Sequence, residues 1–144
     1  MKHFRYLSYL LVLLLLVPAP DTLAGEAPAA VPFVVQLTRP AGNYGHRRVM
    51  LQLDKILDTV GEERVHFVVV AYEEGIHALL ADNEQTAQLV MKLARRGVEF
   101  RACRISMRAW GLEESEFPLE VEFVPAGAPE VIRLQLEGYR YWRP

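Results

Sequence analysis

Residues 64–71 read RVHFVVVA and form the most β-like stretch of the sequence. Apart from Arg64 and His66, every position in this stretch is apolar. A strand that faces solvent on one side alternates apolar and polar side chains, whereas a strand covered on both faces is apolar at nearly every position. The stretch therefore predicts a central strand of a parallel sheet, with helices packed on both faces.

On both sides of this stretch, short apolar runs alternate with segments of helical spacing. The other predicted strands are residues 33–37, 98–103, 121–124 and 139–142. The predicted helices are residues 49–60, 75–81, 87–94, 105–112 (helix or turn) and 131–137. Asp82 and Gln85 have the spacing of a capping box before residues 87–94. Because parallel strands need crossover connections of this length, we expect an α/β fold: a three-layer α/β/α sandwich with a mostly parallel sheet of about five strands.

The composition is that of an ordinary globular protein. Of the 144 residues, 51% are hydrophobic and 24% are charged, which argues against disorder, collagen-like repeats and coiled coils. Sixteen Lys and Arg residues stand against 18 Asp and Glu residues, so the formal net charge is −2. Since binding to a phosphate backbone needs a clustered positive excess, we expect no nucleic-acid partner. The length suits a single domain with one core.

Residues 1–24 have the features of a secretory signal peptide. Lys2 and Arg5 precede the apolar run Leu10–Val17, which prolines then interrupt, and Ala24 offers a small residue for cleavage. The run is far shorter than the ~20 residues that span a bilayer. The alternative, an uncleaved anchor, is disfavoured because the helix breakers come early and no stop-transfer charges follow. We expect a periplasmic protein with no membrane contact after cleavage, an Ala- and Pro-rich leader at residues 25–32, and a folded domain at residues 33–144.

The loops that follow the first four predicted strands are the expected place for a functional site. In an open parallel sheet, ligands bind beyond the carboxyl ends of the strands, where helices begin. These loops are residues 38–43, 72–75, 103–106 and 125–127. Within them, we expect four residues to contribute to binding of a substrate or small anion: Arg39, Asn43, Gly75 and Gly127.

The single cysteine of the chain, Cys103, falls at this edge. It ends a predicted strand and opens a helical turn, whose free N–H groups favour an anion. Arg101 and Arg104 are near neighbours in the sequence, and we expect both to bind the anion, to lower the pKa of the thiol and to stabilise negative charge on the sulfur. Alternation also places Cys103 on the polar strand face that carries Glu99 and Arg101. The alternative is a cysteine that only packs, because free cysteine is among the most buried residue types.

No pattern in the sequence is typical of a metal or cofactor site. One cysteine is too few for a thiolate zinc site, and His46, His66 and His77 lack the spacing of metal ligands. Residues 42–48 could cradle an anion at the start of a helix, but they match neither the P-loop nor the dinucleotide fingerprint, and a plain loop is the alternative. No Gly-x-Ser-x-Gly motif supports serine hydrolase chemistry. We therefore expect neither a cofactor nor a metal ion.

Several segments of the chain resemble the DsrE/DsrF-like family, most of all its exported single-domain branch. They are Gly97–Cys103 (GVEFRAC), Leu134–Pro144 (LQLEGYRYWRP), Val69–Ala71 with Gly75-Ile76, and Val124–Gly127 (VPAG). The resemblance covers nearly all of residues 33–144 and implies a five-stranded parallel α/β/α fold, often assembled as a homo-oligomer, either a trimer or a hexamer. Some members carry sulfur on a cysteine as a persulfide and pass it along a relay, and Cys103 is the residue that would correspond.

With the resemblance, the sequence leads us to expect a periplasmic sulfur-handling protein that works as a carrier or sulfurtransferase. The Cys103 thiolate would attack a sulfane-sulfur donor, hold the sulfur as a persulfide and surrender it to a partner thiol. Its partners would be sulfur donor and acceptor proteins. Two alternatives stay open. In one, the protein is a non-catalytic oligomeric module that binds a small anion or a protein partner while Cys103 only packs. In the other, Cys103 is a redox sensor that forms an intersubunit disulfide.

Overall fold

A computed structural model of the protein describes residues 29–42 and 45–144. The predicted signal peptide (residues 1–24), most of the predicted leader and Asn43 lie outside the described residues. Within the described ranges, no helix is both long enough and apolar enough to cross a membrane.

The described residues form one five-stranded sheet in which all neighbouring strands are parallel. The strands are β1 (Val31–Leu37), β2 (Val65–Ala71), β3 (Glu99–Cys103), β4 (Val121–Val124) and β5 (Arg140–Trp142). Their order across the sheet is β4-β3-β2-β1-β5, which makes β2 the central strand, as the RVHFVVVA stretch predicted. Residues 68–71 of β2 are fully buried because both faces of that strand are covered. The predicted α/β fold class is confirmed.

Helices occupy the connections between the strands. The α-helices of the described residues are α1 (Gly45–Val60), α2 (Ala87–Arg95), α3 (Arg104–Trp110) and α4 (Gly127–Leu136). Two further segments, Glu73–Leu79 and Glu114–Glu116, are 3₁₀ helices. The first of these replaces the helix predicted at residues 75–81, and the tighter 3₁₀ form is common in short connecting segments.

The helices cover the two faces of the sheet unequally. From β1 to β4 the chain moves across the sheet in one direction, so right-handed crossovers place α1, α2 and α3 on the same face. The step from β4 to β5 runs in the opposite direction, which places α4 on the other face. The larger core lies on the first face and contains buried side chains of α1 and α2. The second face has a small core, formed by Val34, Val68, Val70, Val131 and Leu134.

The single helix on the second face leaves room for polar side chains on β3 and β4. Arg101 of β3 lies opposite Glu122 of β4, and Glu99 precedes Arg101 by two residues on the same face. Cys103, the last residue of β3, continues this row. The predicted alternation along β3 is therefore present, because Val98, Phe100 and Ala102 pack into the larger core instead.

Candidate functional site

The carboxyl ends of the parallel strands meet at one edge of the sheet, and hydrogen bonds join the loops that follow them. The Tyr72 N–H donates to the carbonyl oxygen of Leu37 at 3.1 Å, which connects the ends of β2 and β1. The Glu73 N–H donates to Ser106 Oγ at 2.8 Å and connects the end of β2 to α3. The segment that follows Cys103 is therefore held to the end of β2, which is in turn held to the end of β1.

Cys103 lies at this edge but is not open to solvent. It ends β3 and is the N-cap residue of α3, so its backbone is fixed by both elements. Only 3% of its surface is exposed. The sulfur still has polar neighbours, because the Gly127 N–H at the start of α4 donates a hydrogen bond to Sγ at 3.2 Å. The result is a buried thiol with hydrogen-bond donors at its sulfur.

The surroundings of the sulfur favour its ionised form. Burial is the largest influence and raises the pKa of the Cys103 thiol, because it penalises the charged form. Hydrogen bonding to the N–H and hydroxyl of Ser106 and to the N–H groups of Gly127 and Ile105 favours the thiolate. These donors together outweigh burial, so the pKa of the thiol lies below its ordinary value. The arrangement therefore favours the thiolate, which is the reactive form of cysteine.

Ser106 is a residue of this site that sequence reasoning did not single out. It follows Cys103 by three residues in the first turn of α3 and is 7% exposed. Its oxygen accepts the hydrogen bond from Glu73, which leaves its own proton free to be donated to the sulfur. The spacing of three residues after a strand-ending cysteine is the signal that could have identified it, since an N-cap residue and the third residue of a helix face each other.

The two arginines predicted to stabilise the sulfur are held by carboxylates. Arg101 forms ion pairs with Glu99, Glu130 and Glu122 on the second face of the sheet. The Arg104 guanidinium pairs with Glu114 and lies 5.3 Å from the ring centroid of Phe123.

The hydrogen bonds that favour the thiolate therefore come from other groups. They come from N–H groups and from the Ser106 hydroxyl, and neither guanidinium contributes a hydrogen bond to the sulfur. The expectation that Arg101 and Arg104 stabilise negative charge on the sulfur stays a prediction.

The two glycines predicted at the edge allow close backbone approaches. A Cβ at Gly75 would lie 2.1 Å from the carbonyl oxygen of Leu37, so a side chain there would separate the Glu73–Leu79 helix from β1. A Cβ at Gly127 would lie 2.5 Å from the Tyr72 ring. Gly127 also brings its N–H to the sulfur of Cys103, so it contributes directly to the site.

The remaining predicted residues are less closely connected with the sulfur. Arg39 is exposed in the loop after β1, and its carbonyl oxygen accepts a hydrogen bond from His46 at 2.7 Å. Asn43 lies outside the described residues. Within residues 29–42 and 45–144, no three His, Cys, Asp or Glu side chains lie together as ligands of a metal ion.

An open cleft of about 570 Å³ lies beside the first turn of α3. Its walls include Glu73 and Glu74 after β2 and Ile105, Ser106 and Trp110 of α3. Ser106 therefore faces the cleft and also interacts with the sulfur of Cys103. This places a ligand-sized space next to the cysteine.

The comparisons with known proteins agree with this fold. The model of the DsrE/DsrF-like family matches residues 32–143, whereas no curated protein matches the sequence. A solved structure of a protein of unknown function, MTH1491 from Methanobacterium thermoautotrophicum, is similar, with a TM-score of 0.64 and 30% sequence identity. The similarity covers 81% of this chain and 99% of that chain. The resemblance seen in the sequence is confirmed: the chain belongs to the DsrE/DsrF-like family, which is associated with sulfur relay.

Proposed function

We propose that this protein is a periplasmic sulfur carrier that holds sulfane sulfur as a persulfide on Cys103. In the loading step, the Cys103 thiolate attacks the outer sulfur of a hydropersulfide, R–S–SH. A new S–S bond forms at Cys103, the S–S bond of the donor breaks, and the donor leaves as the thiolate RS⁻. In the unloading step, an acceptor thiolate attacks the terminal sulfur, and Cys103 leaves as a thiolate.

The observation that carries this proposal is the set of donors at the sulfur. The Gly127 N–H lies 3.2 Å from Sγ, and the Ser106 hydroxyl and N–H also favour the charged form of the thiol. Both steps have a thiolate at Cys103, once as the nucleophile and once as the leaving group, so the same donors assist both. Membership of the family supports the same chemistry in general terms.

The burial of Cys103 favours a second candidate. At 3% exposure, the cysteine also suits a non-catalytic oligomeric binding module in which the thiol only packs. The same burial argues against a redox sensor, because an intersubunit disulfide needs two sulfur atoms about 2 Å apart. The choice between carrier and binding module therefore depends on whether the sulfur reacts in the native protein.

Intact mass spectrometry separates these candidates. The native protein is incubated with cysteine hydropersulfide, and we expect a gain of one sulfur atom that a thiol reductant removes. Cys103→Ser and Cys103→Ala should both show no gain, because neither variant has the sulfur atom that would carry the persulfide. A native protein that gains no labile sulfur, and whose thiol also resists iodoacetamide until it is unfolded, would instead support the binding module.

The cellular part of the proposal rests on the sequence pattern and the family resemblance. We propose that residues 1–24 direct export and are removed, and that the mature chain forms a homo-oligomer, a trimer or hexamer, that exchanges sulfur with donor and acceptor proteins. Protein taken from the periplasm for the mass measurement should begin at Gly25. Light scattering on the same sample measures the subunit number, and a monomer would contradict the proposed assembly.

A further inference from the structure

The cleft beside α3 is negatively charged. Glu73 and Glu74 line it, both are exposed, and neither forms an ion pair with any described residue. None of the residues that line the cleft carries a positive charge. Other carboxylates of the molecule, such as Asp54 and Glu130, are neutralised by arginines. The cleft therefore attracts cations and repels anions.

Apolar side chains extend this cleft onto the surface of α3. Ile105 and Trp110 both line it, and they are 53% and 49% exposed although both are large and hydrophobic. The His77 and Trp110 rings pack in a T-shaped arrangement with their centroids 4.7 Å apart, which orients the indole. Exposed Trp side chains are typical anchors of protein interfaces, and an aromatic face also binds Lys and Arg side chains.

The cleft and the cysteine share one structural element. Ile105 and Ser106 form part of the cleft wall, and both follow Cys103 in the first turn of α3. A partner seated in the cleft is thus separated from the sulfur by a single turn of backbone.

We propose that the cleft docks a positively charged polypeptide segment of the protein that exchanges sulfur with Cys103. This inference rests on the proposed function and adds the class of partner. Unpaired carboxylates select a Lys- or Arg-containing segment, while Ile105 and Trp110 provide the apolar contact that a polypeptide, unlike a small cation, can use. Glu73 and Glu74 are the specificity-determining residues.

Two activated peptides test this proposal on the full-length native protein. Both carry one cysteine as a pyridyl disulfide, and they differ in having lysines or glutamates beside that cysteine. The Cys103 thiolate attacks the peptide sulfur, a mixed disulfide forms, and the pyridinethione released reports the rate. We expect the lysine peptide to react several-fold faster, and Glu73→Gln combined with Glu74→Gln to reduce that ratio to near one.

The control variant combines Glu63→Gln with Glu120→Gln. Both residues are exposed and precede β2 and β4, so they lie at the opposite edge of the sheet but change the net charge equally. This variant should keep the ratio. Trp110→Ala should slow the lysine peptide but leave the rate of a small trimethylammonium methanethiosulfonate unchanged, which distinguishes a polypeptide site from a general cation site.

Several results would overturn the proposal. The first is that the lysine and glutamate peptides react at equal rates, and the second is that the control variant changes the ratio of these rates as much as the cleft variant does. The third is that Trp110→Ala slows the peptide and the small reagent equally. The fourth is that the thiol reacts with neither peptide. The outcome is independent of sulfur loading, because no persulfide is involved. A preserved ratio without persulfide formation would contradict the carrier function alone, and a persulfide without the ratio would contradict the docking site alone.

Discussion

Ser106 connects Cys103 with the adjacent cleft through a single hydroxyl group. Its oxygen accepts from the Glu73 N–H at 2.8 Å, and its proton is available to the sulfur. Ser106→Ala removes that donor, so we expect the pKa of the Cys103 thiol to rise. A hydrogen bond contributes about 1 kcal/mol, which corresponds to a roughly fivefold lower thiolate fraction near neutral pH. The measurement is the rate of alkylation by iodoacetamide as a function of pH.

Ser106→Thr is the matched variant, because it keeps the hydroxyl at the same position. We expect its alkylation profile to stay close to that of the unaltered protein, while its melting temperature reports any cost of the added methyl group. An alkylation profile for Ser106→Ala that coincides with that of the unaltered protein would show that the hydroxyl does not stabilise the thiolate. A loss of melting temperature without a shift of the profile would assign Ser106 a packing role only.

At the residue scale, the sequence predicts where a side chain lies in the sheet better than it predicts which other side chains it contacts. A cysteine that ends an apolar strand and precedes a helical turn lies at the carboxyl edge of the sheet, and Cys103 does. The partners of Arg101 were not predictable in the same way. Glu99 is two residues away on the same strand face, but Glu130 lies on α4, and its approach depends on which face that helix covers. A pattern along one chain segment contains no such information.

At the scale of elements, Gly75 joins the Glu73–Leu79 helix to the end of β1. A Cβ there would meet the Leu37 carbonyl oxygen at 2.1 Å, and backbone atoms cannot move aside as a flexible side chain does. We expect Gly75→Ala to destabilise the fold by about 1–3 kcal/mol, the usual cost of overpacking. Gly42→Ala is the control, since nothing lies within 4 Å of a Cβ at that position.

Denaturant unfolding measures both glycine variants. The midpoint should fall for Gly75→Ala and remain nearly unchanged for Gly42→Ala, with similar slopes for both. Because the Glu73–Leu79 helix carries the acidic side of the cleft, Gly75→Ala should also reduce the preference for the lysine peptide. Equal midpoints for the two variants would mean that the helix can shift away from β1 at little cost.

The start of α2 illustrates which part of an element can be predicted. The apolar spacing predicts a helix over 87–94, and α2 is Ala87–Arg95. The predicted capping box of Asp82 and Gln85 is wrong. Asn83 instead accepts from the Gln85 N–H at 3.0 Å and donates to the His77 carbonyl at 2.8 Å. The turn is therefore fixed by contacts with the preceding 3₁₀ helix, which local spacing does not reveal.

At the scale of the whole molecule, the strand order determines what surrounds the site. Five parallel strands with right-handed crossovers are predictable, but several orders satisfy those rules equally. The observed order places β5 beside β1, through three paired positions from Phe33 to Val35. The chain thereby reverses its direction across the sheet after β4, which brings α4 to the second face. The Gly127 N–H reaches Cys103 as a consequence of this reversal.

His46 connects the start of α1 to the loop after β1, and its protonation state matters for the stability of the whole molecule. It is 1% exposed, and its Nε2–H donates to the Arg39 carbonyl oxygen at 2.7 Å. Its Nδ1 is buried without a hydrogen-bond partner among the described residues. Burial is the largest influence and lowers the pKa of His46, because it penalises the charged ring more than the hydrogen bond to Arg39 and the charge of Glu74 favour it.

Acidification should therefore destabilise the protein through His46. Because its pKa is lower in the folded state, the unfolded chain binds the proton more readily, and stability is lost as the pH falls below the ordinary histidine pKa of about 6.5. We expect the melting temperature to fall between pH 7.5 and 5.5, a range in which most carboxylates stay ionised.

His46→Gln keeps a donor for the Arg39 carbonyl oxygen but cannot titrate. Over the same pH range, its melting temperature should therefore fall by a few degrees less than that of the unaltered protein. A few degrees correspond to about 1 kcal/mol in a domain of this size. Equal pH dependence in His46→Gln and the unaltered protein would show that His46 accepts its proton without cost.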